Sequence, residues 1–194
     1  LNRNFPAHWT PFSMFGMDGG RFALSAPESR AVVDAFTARE HIGAGLTNHT
    51  YTGCILTQPY REDTPLTDAD VLLMERLAED AVKGTDYKVY RTYPNFAYDK
   101  KKAVVGVWSD SMSTVFGVPG YTLELWDPFK FSGVENDDPA QFFVRPDPEK
   151  IRSLVVAFSK IPGAVTPWRP FEHPQLGPIE IGGLDYMKTV RNPP

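Results

Sequence analysis

The chain has 194 residues and a single cysteine, Cys54. One cysteine excludes an internal disulfide framework and any multi-cysteine zinc site, and in the apolar run CILT it reads as core filler. Histidine is nearly as scarce. His8, His41, His49 and His173 are all there are, no two stand at helical or strand pair spacing, and HExxH is absent. No apolar run approaches the roughly 18 residues a membrane span requires. Twenty Lys and Arg against 24 Asp and Glu give a net charge of -4. The longest basic run, Lys100-Lys101-Lys102, is too short for a nucleic-acid footprint. Gly16, Gly19 and Gly20 have no preceding strand pattern and no following Lys-Ser/Thr, which excludes a phosphate-binding loop. Nothing in the composition selects a secreted, periplasmic or cytoplasmic location.

What is present suffices for a packed core. Hydrophobic residues make up 42% of the chain, and a chain of this size buries about 70% of its unfolded surface. Residues 1–24, rich in Gly, Pro and aromatics, carry no period and read as an ordered loop. Ser25-Ala26-Pro27-Glu28 has the spacing of a capping box and predicts a helix over 26–39 with Ala31, Val32, Ala35 and Phe36 on one face. Thr67 and Asp70 predict a second capped helix whose apolar stripe runs Val71, Leu73, Met74, Leu77, Ala78, Ala81 and Val82, with Gly84 ending it. Residues 104–116 read as a further helix, and Asp147-Pro148 opens another over 147–160. Strand patterns fall at 42–48, 53–58, 87–93 and 120–126. Alternation of strands and helices predicts an α/β layer, a sheet flanked by helices. The stretch 161–194 holds seven prolines and reads as a Pro-rich extension or linker.

Three places could carry chemistry. His49, in LTNHTYTG, follows strand-like residues, where open α/β sheets present site side chains; it is either a metal ligand or an ordinary turn histidine. Glu124 interrupts the strand-like run YTLELW, and alternation puts it on one face with Thr122 and Trp126. That is either a solvated strand face or a desolvated carboxylate suited to general-base work. Arg3, between Asn2 and Asn4, could fork onto a carboxylate or anchor a loop. His8 and His173 read as loop residues and His41 as a helix-end residue. Asn48-His49-Thr50 fits a glycosylation sequon but abuts a strand.

Taken in order, four segments resemble the zinc carboxypeptidases of the carboxypeptidase A type, the M14 metallopeptidases: LNRNFP, SAPESRAVVDAF, NHTYTGCILTQPY and GVPGYTLELWD. The ending EIGGLDYMKTVRNPP resembles a bacterial branch of the same family. The resemblance implies a mixed parallel/antiparallel sheet flanked by helices. It implies that His49 is a zinc ligand, that Glu124 is the general base, and that Asn2 and Arg3 hold the terminal carboxylate of a peptide or protein substrate. The substrate-capping tyrosine falls nearest to Tyr98. Such chemistry suits these residue types: zinc acidifies water, a carboxylate takes the proton, and a guanidinium fixes the carboxylate.

The pattern is incomplete in three respects. The family's other two zinc ligands come from an upstream H-x-x-E, which this chain lacks, and a second arginine is also missing. Trp126 stands where many members have arginine. Leu1 begins within a motif and RNPP reads as an interruption. The expectation is therefore residues 1–160 as the C-terminal portion of the catalytic domain, present as an incomplete domain and followed by the extension 161–194. Its upstream part would be needed to complete the site, and the piece would be inactive and weakly zinc-binding alone. Two alternatives stand beside a carboxypeptidase acting on peptide C-termini or cell-wall peptides: a non-catalytic carboxylate-binding domain that keeps Arg3, and a zinc amidoacylase.

Overall fold

The computed structural model describes residues 1–11, 18–58 and 64–189. Gly16, the end of the NHTYTGCILTQPY segment (Pro59 and Tyr60) and the closing RNPP lie outside them. In chain order the elements are α1 (Pro27–Thr37), β1 (Gly45–Thr50), β2 (Cys54–Thr57), α2 (Asp68–Ala81), β3 (Lys88–Arg91), α3 (Trp108–Thr114), β4 (Gly120–Leu125), α4 (Pro128–Ser132), α5 (Pro139–Val144), α6 (Pro148–Phe158), β5 (Val165–His173), β6 (Gly177–Leu184) and α7 (Tyr186–Thr189). They form two compact units, one of residues 1–49 and 53–124, the other of residues 50–52 and 125–194.

The first unit is built on a four-stranded sheet of order β1-β4-β2-β3. β2 runs parallel to β3 and antiparallel to β4, so the sheet is mixed as expected. β2 is buried at all four positions, which accounts for its unbroken apolar run. α2 opens on the predicted capping box: Thr67 accepts from Asp70 N–H while Asp70 reaches back to Thr67 N–H. It buries Met74 and Ala78 against Ile55 and Tyr121, and the Tyr121 hydroxyl donates to the Met74 carbonyl at 3.1 Å. The predicted stripe is only partly used, because Leu73 and Leu77 remain exposed. Arg91 Nε and Glu75 Oε1, 2.5 Å apart, tie α2 to β3.

α1 forms without the predicted cap. Its first turn is preceded by Ala26 with no side-chain cap bond, because the Ser25 hydroxyl is engaged by the Asn4 amide at 3.0 Å. α3 is shorter than the predicted 104–116, since the chain before Trp108 makes loop bonds instead: Gly106 accepts from Phe5 N–H and donates to the Ala7 carbonyl, both at 3.0 Å. The buried Gln58 donates to Ser113 Oγ and to the Gly120 carbonyl, each at 3.0 Å, and so bolts α3 to the start of β4.

The second unit gathers Phe129, Leu154, Phe158 and Ala164 into its own core, with Trp126, Phe142, Ile161 and Leu184 packed on it. Asp147 caps α6 as predicted, accepting from Glu149 and Lys150 N–H. α4 and α5, each opened by Asp-Pro, fill the stretch between β4 and α6. The Pro-rich stretch contains an antiparallel hairpin, β5 with β6, irregular in register between Thr166 and Arg169. Pro167 and Pro170 fit there because an outer strand has an edge that need not donate to a ladder.

Candidate functional site

Asn2, Arg3, His49, Tyr98 and Glu124 line one small cavity of the first unit. They arrive from four parts of the chain. Asn2 and Arg3 sit in the opening loop, His49 near the end of β1, Tyr98 after β3, and Glu124 near the end of β4. Because β1 and β4 are neighbours, their ends bring His49 Nδ1 to 3.7 Å from Glu124 Oε1. Glu124 also lies opposite buried Cys54 in the β2–β4 register, so the two side chains share one face of the sheet. The rest of the lining is Leu56, Thr92, Phe96, Val104 and Val107, with the Ser109 and Thr122 hydroxyls bonded to each other at 3.0 Å.

Burial sets the electrostatics. Glu124 is 7% exposed, and the loss of water raises its pKa to about 7, opposed by attraction to Arg3. His49 is pushed down, first by burial and then by the Arg3 charge. Burial also raises Tyr98, with Arg3 pulling the other way. Arg3 is lowered by burial, against the favourable charges of Tyr98 and Glu124, and it remains a cation because guanidinium titrates far above neutrality. The Arg3 Nη1 donates to the Asn2 carbonyl. Its Nε is buried and has no hydrogen-bond partner among the described residues, leaving a donor for an entering anion.

The opening loop is held rigidly. Asn4 donates to the carbonyls of Gly19 and Phe22 at 2.5 and 2.9 Å and accepts from Ala26 N–H at 3.0 Å. Gly106 adopts φ +68, and a Cβ placed there would lie 2.3 Å from the Arg3 carbonyl oxygen. Only glycine accommodates both the dihedral and this approach. Asn2 spans the site. Its Oδ1 accepts from the Trp108 backbone N–H at 2.8 Å and its Nδ2 meets His49 Nε2 at 3.3 Å.

The residues read in sequence as a candidate site (Asn2, Arg3, Tyr98, His49 and Glu124) thus share one cavity. The contributions of Gly106, Ser109 and the Trp108 N–H carry no motif that singles them out, and Asn4 was legible only as part of Asn-Arg-Asn. Thr122 was legible through its alternation with Glu124. Trp126, expected on that same face, belongs to the second unit and packs on Phe131 and Phe158. His173 serves the hairpin turn, accepting from Gln175 and Leu176 N–H.

A zinc site does not fit the donor set of this chain. A catalytic zinc takes three protein ligands. Here His49 supplies one imidazole and Glu124 one carboxylate, and among the described residues no group of three or more His, Cys, Asp or Glu could hold a metal ion.

The fold has relatives of known structure. Carboxypeptidase A from Helicoverpa armigera matches with TM-score 0.51 and 22% identity, over 84% of this chain and 42% of that one. Thrombin-activatable fibrinolysis inhibitor matches with TM-score 0.51 and 21% identity, over 81% of this chain and 40% of that one. The bovine form of that inhibitor, in complex with tick carboxypeptidase inhibitor, matches with TM-score 0.53 and 22% identity, over 81% and 54%. The chain therefore spans about half or less of these proteins and is a partial domain of their fold. No curated protein sequence matches it. The family model described as zinc carboxypeptidase (Peptidase_M14) matches residues 1–153. The chain belongs to the zinc carboxypeptidase family.

Proposed function

We propose that this chain is the C-terminal part of the catalytic domain of a zinc carboxypeptidase, whose parent removes a C-terminal residue from a peptide or protein, or cleaves a cell-wall peptide. One juxtaposition carries the reading: a buried guanidinium with a spare donor and a carboxyl titrating near neutrality share one cavity. Arg3 receives the terminal carboxylate, Asn2 adds an amide N–H, and Tyr98 covers the bound residue. Glu124 takes a proton from the attacking water and returns it to the leaving amine, two tasks that a pKa near 7 serves equally. His49 is, in this reading, one ligand of a zinc whose other ligands lie in the rest of the parent.

The test is hydrolysis of a blocked dipeptide with a free or an amidated C-terminus. The parent should cleave only the free acid, and its Glu124→Gln variant should lose several orders of magnitude in turnover with modest loss of affinity. Full activity in that variant refutes the general-base role. The chain by itself should neither hydrolyse the peptide nor retain stoichiometric zinc through dialysis against a weak chelator.

A second reading has its own support. Arg3 needs no metal to accept a carboxylate, so the parent could be a carboxylate-binding domain without catalysis. A parent that binds the free-acid peptide and never cleaves it, with or without zinc, decides for that reading.

A further inference from the structure

Hydrogen-bond direction around Asn2 fixes more than its position. The Trp108 backbone N–H can only donate, so the atom of the Asn2 amide facing it at 2.8 Å must be the oxygen. The other end, the NH2 group, then faces His49 Nε2 at 3.3 Å. An NH2 group has no lone pair to offer, so Nε2 must be the acceptor and carries no proton. In a neutral ring the proton therefore sits on Nδ1, the nitrogen 3.7 Å from Glu124 Oε1.

We propose that Asn2 is a positioning residue for His49, holding its ring in the Nδ1–H tautomer so that the nitrogen facing Glu124 is a donor and has no lone pair for a metal. A metal on the Glu124 side would need the proton moved to Nε2 and an acceptor, not an NH2 group, beside Nε2. Rotating the Asn2 amide supplies that acceptor but turns its NH2 group against the Trp108 N–H, donor against donor. The two contacts of one amide oppose each other, and in this chain the helix contact prevails. Burial and the nearby Arg3 charge favour the neutral ring, in which one nitrogen carries the proton and the other does not.

The tautomer rests on these contacts alone. Its consequence for metal rests on the reading of His49 as a zinc ligand, and the two are tested separately. Long-range proton–nitrogen correlation spectra of the 15N-labelled chain, taken without metal at mildly alkaline pH, should show a pyrrole-type Nδ1 and a pyridine-type Nε2 for His49. Free histidine prefers the opposite tautomer, so an Nε2–H signature for His49 overturns the proposal.

Asn2→Asp keeps an oxygen for the Trp108 N–H and replaces the NH2 group with an acceptor. It should reverse the tautomer to Nε2–H, and an unchanged tautomer in the folded variant overturns the positioning role. If the variant does not fold, the wild-type spectrum still decides the tautomer. Titration of both proteins with zinc alone addresses the ligand reading. An outer-shell carboxylate on a ligating histidine should tighten binding about tenfold to a hundredfold. Adding His49→Ala should erase that gain. A gain that survives without His49 removes the histidine from the metal reading and leaves the tautomer assignment intact.

Discussion

His49 Nδ1 and Glu124 Oε1 stand 3.7 Å apart, near the ends of two neighbouring strands. Seventy-five residues of sequence separate them, and the sheet order alone brings them together. The separation exceeds a hydrogen bond, so neither group neutralises the other. On Glu124 the effect of burial outweighs the attraction of Arg3, and this makes its titration measurable.

Glu124 binds a proton more tightly in the folded chain, with its pKa raised to about 7 from its ordinary value of 4.5. Between these limits the folded state holds more protons than the unfolded state, so stability falls as pH rises. The contribution of neutral Glu124 is complete below about 4.5 and lost as pH passes about 7. Glu124→Gln stays neutral throughout. In chelator, its stability relative to wild type should improve across that window by roughly 3 kcal/mol. Parallel urea midpoints at all pH values would contradict this burial.

Arg3→Lys should weaken binding of a free-acid peptide to the chain by at least about tenfold, because an ammonium cannot fork onto a carboxylate. An amidated peptide should bind weakly to both proteins. Chemical-shift titration of the two peptides makes the comparison, and equal loss for both would place Arg3 outside carboxylate recognition.

Gly106→Ala should destabilise the chain by about 1–3 kcal/mol, since the new methyl meets the Arg3 carbonyl in a left-handed backbone position. It should also loosen carboxylate binding, because what it displaces is the Arg3 backbone. Thermal melting and peptide titration read the two effects. A change in stability with binding intact would show that the loop adjusts without moving Arg3.

Thr67→Ala removes the hydroxyl half of an observed capping box and should cost about 1 kcal/mol. Ser25→Ala, at the corresponding place before α1, should instead act through Asn4, whose amide it bonds. Peptide titration separates them: Ser25→Ala should lower affinity for the free acid, and Thr67→Ala should not.

Much of this protein is local and therefore written in the sequence. Thr67 with Asp70 and Asp147 with Pro148 announce their helices because a cap is a contact within one turn. The apolar runs at 53–58 and 120–126 announce β2 and β4, and the Asn-Arg-Asn, His49 and Glu124 segments announce the family through their order. The β5–β6 hairpin was hidden because prolines within β5 break the strand pattern, while its pairing and the packing of Val165 and Leu184 on the second core hold it. Ser25 misled because the same hydroxyl serves a cap or a distant amide, and only packing chooses the partner. Tertiary structure alone decided that Asn2 reaches both Trp108 and His49, that Tyr98 joins the cavity, and that Glu124 is dry enough to titrate near neutrality. Residue types limit what each group can do; sheet order and loop anchoring determine which groups meet and how much water surrounds them, and these depend on contacts between residues far apart in the chain.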